Sequence, residues 1–230
     1  MQSAIDKKSI HACIDNSERL LDETYDIEFR SPLSTSFFLA VIAQEELAKA
    51  FILFLVEKDV MPWNLSVKRA IQDHVCKQLM CMIMDWVIRE WETLDDLKRE
   101  IKKDLELGNL LPNDVGSALN IFALEKVGRW TNNNLVLAED RIYDPVAKKI
   151  AKGKTDQKKQ KSLYVGIGAD GRVSSTPNDI DKSDVAQELE RARRLLLFVK
   201  AIMKSDTSGC FDQCRYNKVV VALTNIFESE

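Results

Sequence analysis

The stretch Phe37-Phe-Leu-Ala-Val-Ile-Ala-Gln-Glu-Glu-Leu-Ala-Lys-Ala-Phe-Ile-Leu-Phe-Leu-Val56 decides the fold. It is apolar around most of a helical circumference, which is typical of a helix buried on all sides at the centre of a bundle. Ser31-Pro32 precedes it and is a helix start signal, with the serine as N-cap and the proline as the first helical residue. We predict that this helix extends to about Lys58.

Polar residues interrupt the stretch at Gln44, Glu45, Glu46 and Lys49. Three formal charges in mid-span argue against a membrane-spanning helix. Ionisable groups inside an apolar helix are costly unless they are paired, so they mark either a structural ion pair or a functional site. Both carboxylates are three or four residues before Lys49, a spacing that brings side chains together on a helix. The pattern predicts an internal ion pair.

The composition indicates one ordinary globular domain covering residues 1–230. The chain is 45% hydrophobic and 30% charged, and it has only eight glycines and five prolines. This scarcity of turn-forming residues favours long helices over a β fold with many turns. The net charge of −3 excludes a polycation, so any binding to nucleic acid must come from a local basic patch.

Cysteine usage and the N-terminus indicate a cytoplasmic protein. The five cysteines are scattered and odd in number, which favours reduced thiols over a disulfide framework. The first residues lack the apolar core of a signal peptide. Cys76 or Cys81 could pair with His74 as a catalytic thiol, but their shared place on a helix favours packing. The cysteines are Cys13, Cys76, Cys81, Cys210 and Cys214.

Helical periodicity predicts further helices along the chain. The first shows Ile10, Cys13, Ile14, Ser17, Leu20 and Leu21 on one face. We predict these helices at about 3–26, 66–91, 93–108, 113–130, 135–143, 183–202 and 213–227.

The composition changes in the region 147–178. Residues 147–162 contain seven lysines and few apolar residues, which predicts a solvated, mobile loop. A loop of this kind is usually plain surface, and the functional alternative is a contact with RNA or an acidic partner. Residues 162–175 then predict a small β-hairpin, because Asp170-Gly171 supplies a tight turn.

A second charged group lies on the predicted helix 66–91, at Arg69, Asp73, His74 and Lys77. Arg69 and Asp73 have the spacing of an ordinary helical salt bridge. Arg69 also places a permanent cation five residues before a titratable imidazole, a pairing that suits chemistry on a phosphodiester. The alternative for His74 is a satisfied core histidine.

Arg69-x4-His74 fits the arginine–histidine signature of the HEPN superfamily, a group of all-α proteins that includes endoribonucleases. Glu45-Glu46-x2-Lys49, Asp73-His74-x2-Lys77 and Ser162-Leu-Tyr-Val165 add to this resemblance. Together these segments are similar to the AbiV-type branch, the abortive infection proteins of bacterial anti-phage defence. The fold expected is therefore all-α, a HEPN-like helical bundle with a small β-hairpin insertion near 162–175.

The resemblance also implies a function and its residues. Members that cleave RNA do so without a metal or cofactor, with His74 expected to move a proton and Arg69 to hold the scissile phosphate. Lys49 and Lys77 would add phosphate contacts, oriented by Glu45 or Glu46. The partners implied are a second copy of the chain, an RNA or ribosome-associated target, and a phage protein as trigger.

Two features of the sequence depart from this expectation. Nuclease members usually carry a polar residue after the arginine, and Ala70 stands there. On one continuous helix Arg69 and His74 would project about 140° apart. They could meet on one phosphate only if the helix begins near Arg69, or if another subunit supplies the second member. A non-catalytic binding module is therefore the alternative function, and a nucleotide-binding HEPN relative is a third.

A metal site is not expected. Glu45, Glu46, Asp73 and His74 offer ligand types that hold a cation. Lys49 lies beside them in sequence and would compete for the carboxylates.

Overall fold

The computed structural model describes residues 5–27, 29–30, 32–89, 111–128 and 142–208. The predicted helices at 93–108 and 213–227, as well as Cys210 and Cys214, lie outside these residues. So does most of the predicted helix at 135–143, whose described residues 142–143 are not helical. The described α-helices are α1 (Lys7–Asp26), α2 (Ser34–Glu57), α3 (Leu65–Ala70), α4 (His74–Arg89), α5 (Asn113–Asn120), α6 (Pro145–Ala151), α7 (Lys154–Lys161) and α8 (Lys182–Ser208).

Helix α2 is the centre of the bundle, as predicted from its all-round apolar pattern. It packs against α1, α4 and α8, and alanines at positions 40, 43, 48 and 50 are fully buried where the neighbouring helices approach. The helix begins at Ser34, after a residue whose side chain makes no capping hydrogen bond. The predicted start at Ser31-Pro32 is therefore wrong, and Pro32 lies in the turn before the helix.

Helix α1 confirms the predicted helical face. All six residues of that face are buried, and they are joined by Thr24 one turn further on. The helix begins at Lys7, later than predicted, because the Asp6 carboxylate accepts a hydrogen bond from the backbone N–H of Lys8 and so caps the helix at that point.

The predicted continuous helix at 66–91 is wrong. The chain instead forms α3 and α4, separated by a turn at residues 71–73. Asp73 Oδ1 accepts a hydrogen bond of 2.9 Å from the backbone N–H of Cys76, in the manner of a helix N-cap. The Asp73 carboxylate also lies 3.8 Å from Lys126 Nζ. Among the described residues it forms no salt bridge with Arg69, contrary to the prediction.

The lysine-rich segment is helical, so the predicted loop is wrong. Pro145 begins α6, and the Asp144 carboxylate caps it at the backbone N–H of Val146. Gly153 separates α6 from α7 with a left-handed φ of 71°. Lys159 on α7 is only 1% exposed, because its ammonium meets carboxylates of the core rather than water. A run of lysines is fully solvated only if none of them finds a buried partner.

The predicted hairpin is confirmed. Strand β1 (Gly166–Ile167) pairs antiparallel with β2 (Val173–Ser175), and Gly171 at the turn has a positive φ of 76°. A 3-10 turn at Pro177–Asp179 leads into α8. Helix α5 continues into a π-helix at Ile121–Gly128. The described part of the chain is thus a helical bundle with a two-stranded insertion, as predicted.

None of the described helices combines the length and the apolar character that crossing a membrane would need.

Substituting Gly153 tests whether the turn between α6 and α7 positions Lys159. A Gly153→Ala variant should lose about 1–2 kcal/mol of folding free energy, because an L-residue is strained in the left-handed region. Urea unfolding measures the loss. Gly116→Ala is the matched control, since Gly116 is inside α5 with ordinary contact distance around its added Cβ. It should be neutral or stabilising, and an equal loss in both variants would contradict the turn's special role.

Candidate functional site

The buried carboxylate of Glu45 is the centre of the candidate site. Glu45 is 2% exposed. Its Oε1 accepts hydrogen bonds from Lys159 Nζ at 2.9 Å and from Gln78 Nε2 at 3.0 Å. Its Oε2 lies 2.5 Å from His74 Nδ1 and 3.3 Å from Lys77 Nζ. Four side chains therefore converge on one carboxylate.

Three helices supply this cluster. Glu45 belongs to α2, and His74, Lys77 and Gln78 follow one another at helical spacing on α4, so they share one face. Lys159 comes from α7, 114 residues further along the chain than Glu45. The cluster thus joins the lysine-rich segment to the core of the bundle.

The charges of the cluster keep Glu45 ionised. Burial by itself would raise the pKa of this carboxyl, but the hydrogen bond from Lys159, the charges of Lys77 and Lys159, and the hydrogen bond from His74 together lower the pKa below its ordinary value. A buried carboxylate is tolerated when it is paired and hydrogen-bonded in this way.

His74 has one ring edge held and the other exposed. Its side chain is 49% exposed. A carboxylate oxygen only accepts, so we assign the hydrogen to Nδ1, which donates to Glu45 Oε2 at 2.5 Å. The Lys159 ammonium, 3.1 Å from the same nitrogen, then contacts the ring without a hydrogen bond to it. In the neutral ring Nε2 then has the lone pair, and no described residue forms a hydrogen bond with it. The ring is therefore arranged to exchange a proton with a group arriving from solvent.

Arg69 lies in the last turn of α3 and is exposed. No described residue forms a hydrogen bond or ion pair with its guanidinium. The backbone N–H groups of Gln72 and Asp73 both donate to the Arg69 carbonyl, which closes a tight turn before α4 begins at His74. Because the two residues are on different helices, the separation of about 140° that a continuous helix imposes does not apply to them.

The two carboxylates predicted to share Lys49 are divided. Glu46 pairs with Lys49 at 2.7 Å, whereas Glu45 turns to Lys77 and Lys159. His74 therefore faces Glu45 and not the Glu46/Lys49 pair. Lys77 is buried, with 9% of its side chain exposed.

Sequence reasoning missed Lys159. The available signal was Asp156, the one acidic residue within the lysine-rich run 147–162, placed three residues before Lys159. The structure pairs the two at 2.7 Å. A lone carboxylate at helical spacing from a lysine indicates a local ion pair, but nothing in it indicates burial.

One group of described residues has the arrangement of metal ligands. Side-chain atoms of Glu45, His74 and Asp156 all lie within 4.8 Å of one another. The Lys159 ammonium lies between them, 2.9 Å from Glu45 Oε1, 2.7 Å from Asp156 Oδ1 and 3.1 Å from His74 Nδ1. The lysine that meets these carboxylates is Lys159, whereas Lys49, which was expected to compete for them, pairs with Glu46. Glu46 and Asp73 are not part of this group.

A second ion cluster, not indicated by the sequence, joins α4 to α8. The Asp85 carboxylate is 3.1 Å from Arg194, 3.2 Å from Arg89 and 3.7 Å from Arg191. Asp85 borders a cavity of about 170 Å³ that also reaches Glu45. Neither Arg69 nor His74 lines this cavity. Arg69 is exposed and His74 is half exposed at the junction of α3 and α4.

The described cysteines are packing residues. Cys13, Cys76 and Cys81 are buried, and burial raises the pKa of each thiol. Thiols of this kind are poor nucleophiles, because the thiolate is the reactive form. A catalytic pairing of Cys76 or Cys81 with His74 is not supported.

Comparison with known proteins gives one family. The model of AbiV, a HEPN family, matches residues 7–197. The match runs from the start of α1 into α8, and it includes Glu45, Arg69, His74 and Lys159. No curated protein and no solved structure matches the chain.

Removing the charge of Glu45 should destabilise the protein strongly. In Glu45→Gln two buried lysines lose their shared counter-charge, and breaking a buried pair of this kind costs about 3–5 kcal/mol. Urea unfolding at neutral pH measures the change. Glu46→Gln is the matched control; its partly exposed pair with Lys49 should contribute about 1 kcal/mol or less. Similar losses in the two variants would contradict the central role of Glu45.

The pH dependence of stability in wild type and in Glu45→Gln gives a second test. Because the pKa of Glu45 is lowered by folding, the unfolded chain takes up a proton first as the pH falls. The stability from Glu45 is present above the ordinary glutamate pKa of about 4.3 and is lost as the pH falls through the lower folded value. The difference in unfolding free energy between wild type and Glu45→Gln should therefore narrow below about pH 4.3. A constant difference down to pH 3 or so would contradict this.

Proposed function

The chain belongs to the AbiV family of HEPN proteins, which implies a role in abortive infection against phage, and from this premise we propose that it acts on RNA as a metal-independent endoribonuclease. The observation that carries the proposal is the state of His74. A buried carboxylate fixes its Nδ1 edge, and its side chain is 49% exposed. Arg69, which has no ion pair with any of the described residues, precedes it across a tight turn.

The chemistry follows from these two residues. His74 Nε2 takes the proton of a ribose 2′-OH, and the resulting oxygen nucleophile attacks the adjacent phosphorus. The bond from phosphorus to the 5′-oxygen breaks, which leaves a 2′,3′-cyclic phosphate and a 5′-hydroxyl. The Arg69 guanidinium holds the phosphate oxygens and their developing charge, since it is always protonated and donates two parallel hydrogen bonds.

A second histidine completes the proton balance. The 5′-oxygen needs a proton as it leaves, and the neutral imidazole that accepts the 2′-OH proton does not also donate one in the same step. The proposal therefore includes a homodimer, in which a second copy of His74 is protonated and supplies that proton. Each copy would contribute one Arg69/His74 pair to a shared cleft.

The other predicted residues have supporting roles. Glu45 orients the His74 ring. Lys77 is buried against Glu45, so it acts through that carboxylate and not through a phosphate contact. Lys49 is 26% exposed but engaged by Glu46, while Asp73 caps α4 and so fixes where His74 begins the helix. The target RNA, whether free or ribosome-associated, and a phage protein as trigger belong to the same proposal.

One observation favours the alternative of a non-catalytic binding module. The charges of Glu45, Lys77, Lys159 and Asp156 are satisfied by one another, as they would be in a cluster that only fixes the packing of three helices. In that case Arg69 and His74 would be part of a surface that binds a protein partner or blocks translation by binding.

RNA cleavage in the presence of EDTA separates the two functions. Purified wild type should cleave total RNA and leave 2′,3′-cyclic phosphate ends. His74→Ala should lower the rate by about 10²–10⁴-fold, and Arg69→Ala by about 10²–10³-fold. His11→Ala is the matched control, because His11 is the other histidine, exposed on α1, and it should cleave like wild type.

Two results would contradict the proposal. Cleavage retained in His74→Ala would exclude this residue as the proton carrier. Absence of cleavage by wild type, together with full phage protection in cells that express His74→Ala, would favour the binding module.

A further inference from the structure

We propose that Lys159 occupies the position of a divalent cation in this site. Its ammonium supplies the positive charge that a metal ion would otherwise supply to the ligands Glu45, His74 and Asp156. This goes beyond the proposed function, because Lys159 has no part in the chemistry assigned to Arg69 and His74. Its consequence for cleavage rests on that proposed function.

The geometry around the ammonium carries the inference. Carboxylate oxygens and an imidazole nitrogen are the ligand types that divalent ions take from proteins. Here Glu45 Oε1 and Asp156 Oδ1 lie 2.9 Å and 2.7 Å from Lys159 Nζ, which is hydrogen-bond length, and His74 Nδ1 lies 3.1 Å from it. A metal ion would need the same donors about 0.6–0.9 Å closer, at roughly 2.1–2.2 Å.

The burial and charge of the site also support the proposal about Lys159. Lys159 is 1% and Glu45 2% exposed, so water does not neutralise the Glu45 carboxylate, whereas the Asp156 side chain is 29% exposed. Lys77 reaches only Glu45 Oε2 and leaves Asp156 uncompensated. A cation at the position of Lys159 Nζ is therefore the charge that Glu45 Oε1 and Asp156 Oδ1 share, and removing it leaves these two oxygens without a common counter-charge.

Lys159 would then be a positioning residue for His74. Lys159 engages Glu45 Oε1, which leaves Glu45 Oε2 to accept the hydrogen bond from His74 Nδ1. The Lys159 ammonium also lies next to Nδ1. The Nδ1 edge of the ring is therefore fixed, and Nε2 is the ring nitrogen left for a group outside the cluster. In a metal-containing site Nδ1 would be a ligand, and the imidazole could not be oriented by the carboxylate in this way.

Manganese titration of Lys159→Ala tests the inference directly. The variant opens the space of the lysine side chain while it keeps the three donors. It should bind one Mn²⁺ per chain, measured by calorimetry and by the loss of free Mn²⁺ signal in electron paramagnetic resonance, whereas wild type should bind none at this site. A second substitution, His74→Ala or Asp156→Ala in the Lys159→Ala chain, should weaken the binding at least about tenfold.

Two control variants distinguish Mn²⁺ binding at this site from a general effect of added negative charge. Lys77→Ala removes the other buried lysine on Glu45 but leaves Lys159 in place, so it should bind no Mn²⁺. Lys159→Met removes the charge but fills the space, and it too should bind none. The inference is overturned if Lys159→Ala binds no more Mn²⁺ than wild type, or if Lys77→Ala binds as much.

The folded state of each variant is followed by circular dichroism. If Lys159→Ala does not fold without metal, the titration becomes a refolding experiment. Recovery of the wild-type helical signal in Mn²⁺, with no recovery by the variant that also lacks Asp156, supports the inference. No recovery in Mn²⁺ overturns it.

Cleavage assays then test the positioning role. Lys159→Ala should lose RNA cleavage in EDTA, and so should Lys159→Met, because in both the Glu45–His74 contact is no longer held. Mn²⁺ should restore the Glu45 position in Lys159→Ala alone but should not restore cleavage, because the ion takes Nδ1 as a ligand and the carboxylate no longer orients the ring. If wild type itself does not cleave RNA, the proposed function fails, while the Mn²⁺ titration still decides whether Lys159 stands in the place of a cation.

Discussion

The constraint on which this structure depends is the burial of Glu45 in the central helix. A carboxylate at 2% exposure must be matched by cations and hydrogen-bond donors, because water cannot reach it. The chain meets this requirement with side chains from α4 and α7. The positions of those helices against α2 are therefore coupled through one charged group, and the lysine-rich segment is attached to the bundle at the same point.

A cluster of this kind is weak as a source of stability. Well-packed apolar residues of similar volume stabilise a core as well as a buried ion pair does, or better. What the charges add is orientation, since hydrogen bonds fix side chains in direction as well as in position. Here they fix the Nδ1 edge of His74 against the core, while the side chain stays half exposed. The same arrangement places the Lys159 ammonium among Glu45, His74 and Asp156.

Much of the fold was predictable because it depends on local patterns. The buried face of α1, the all-round burial of α2 and the hairpin turn at Asp170-Gly171 all follow from residue spacing. The break between α3 and α4 was not predictable, since the apolar pattern continues across it. It is visible only in the structure, where the Asp73 side chain caps the start of α4 at the backbone N–H of Cys76. The candidate-site residues on α2 and α4 were predictable, but the side chains with which they pair were not. Glu45 and Glu46 have equal access to Lys49 by spacing, and only packing divides them.

The sequence by itself determined that a central apolar helix carries charge and that His74 follows Arg69 closely. It also determined that the chain resembles the AbiV-type HEPN proteins. Each of these features depends on residues that are close together in the chain. Only the tertiary structure decided which cation meets Glu45. Lys159 lies 114 residues away in a run of lysines that differ little in local sequence. Its burial depends on where α7 packs, and ion pairing over such a distance is set by the fold and not by spacing along the chain.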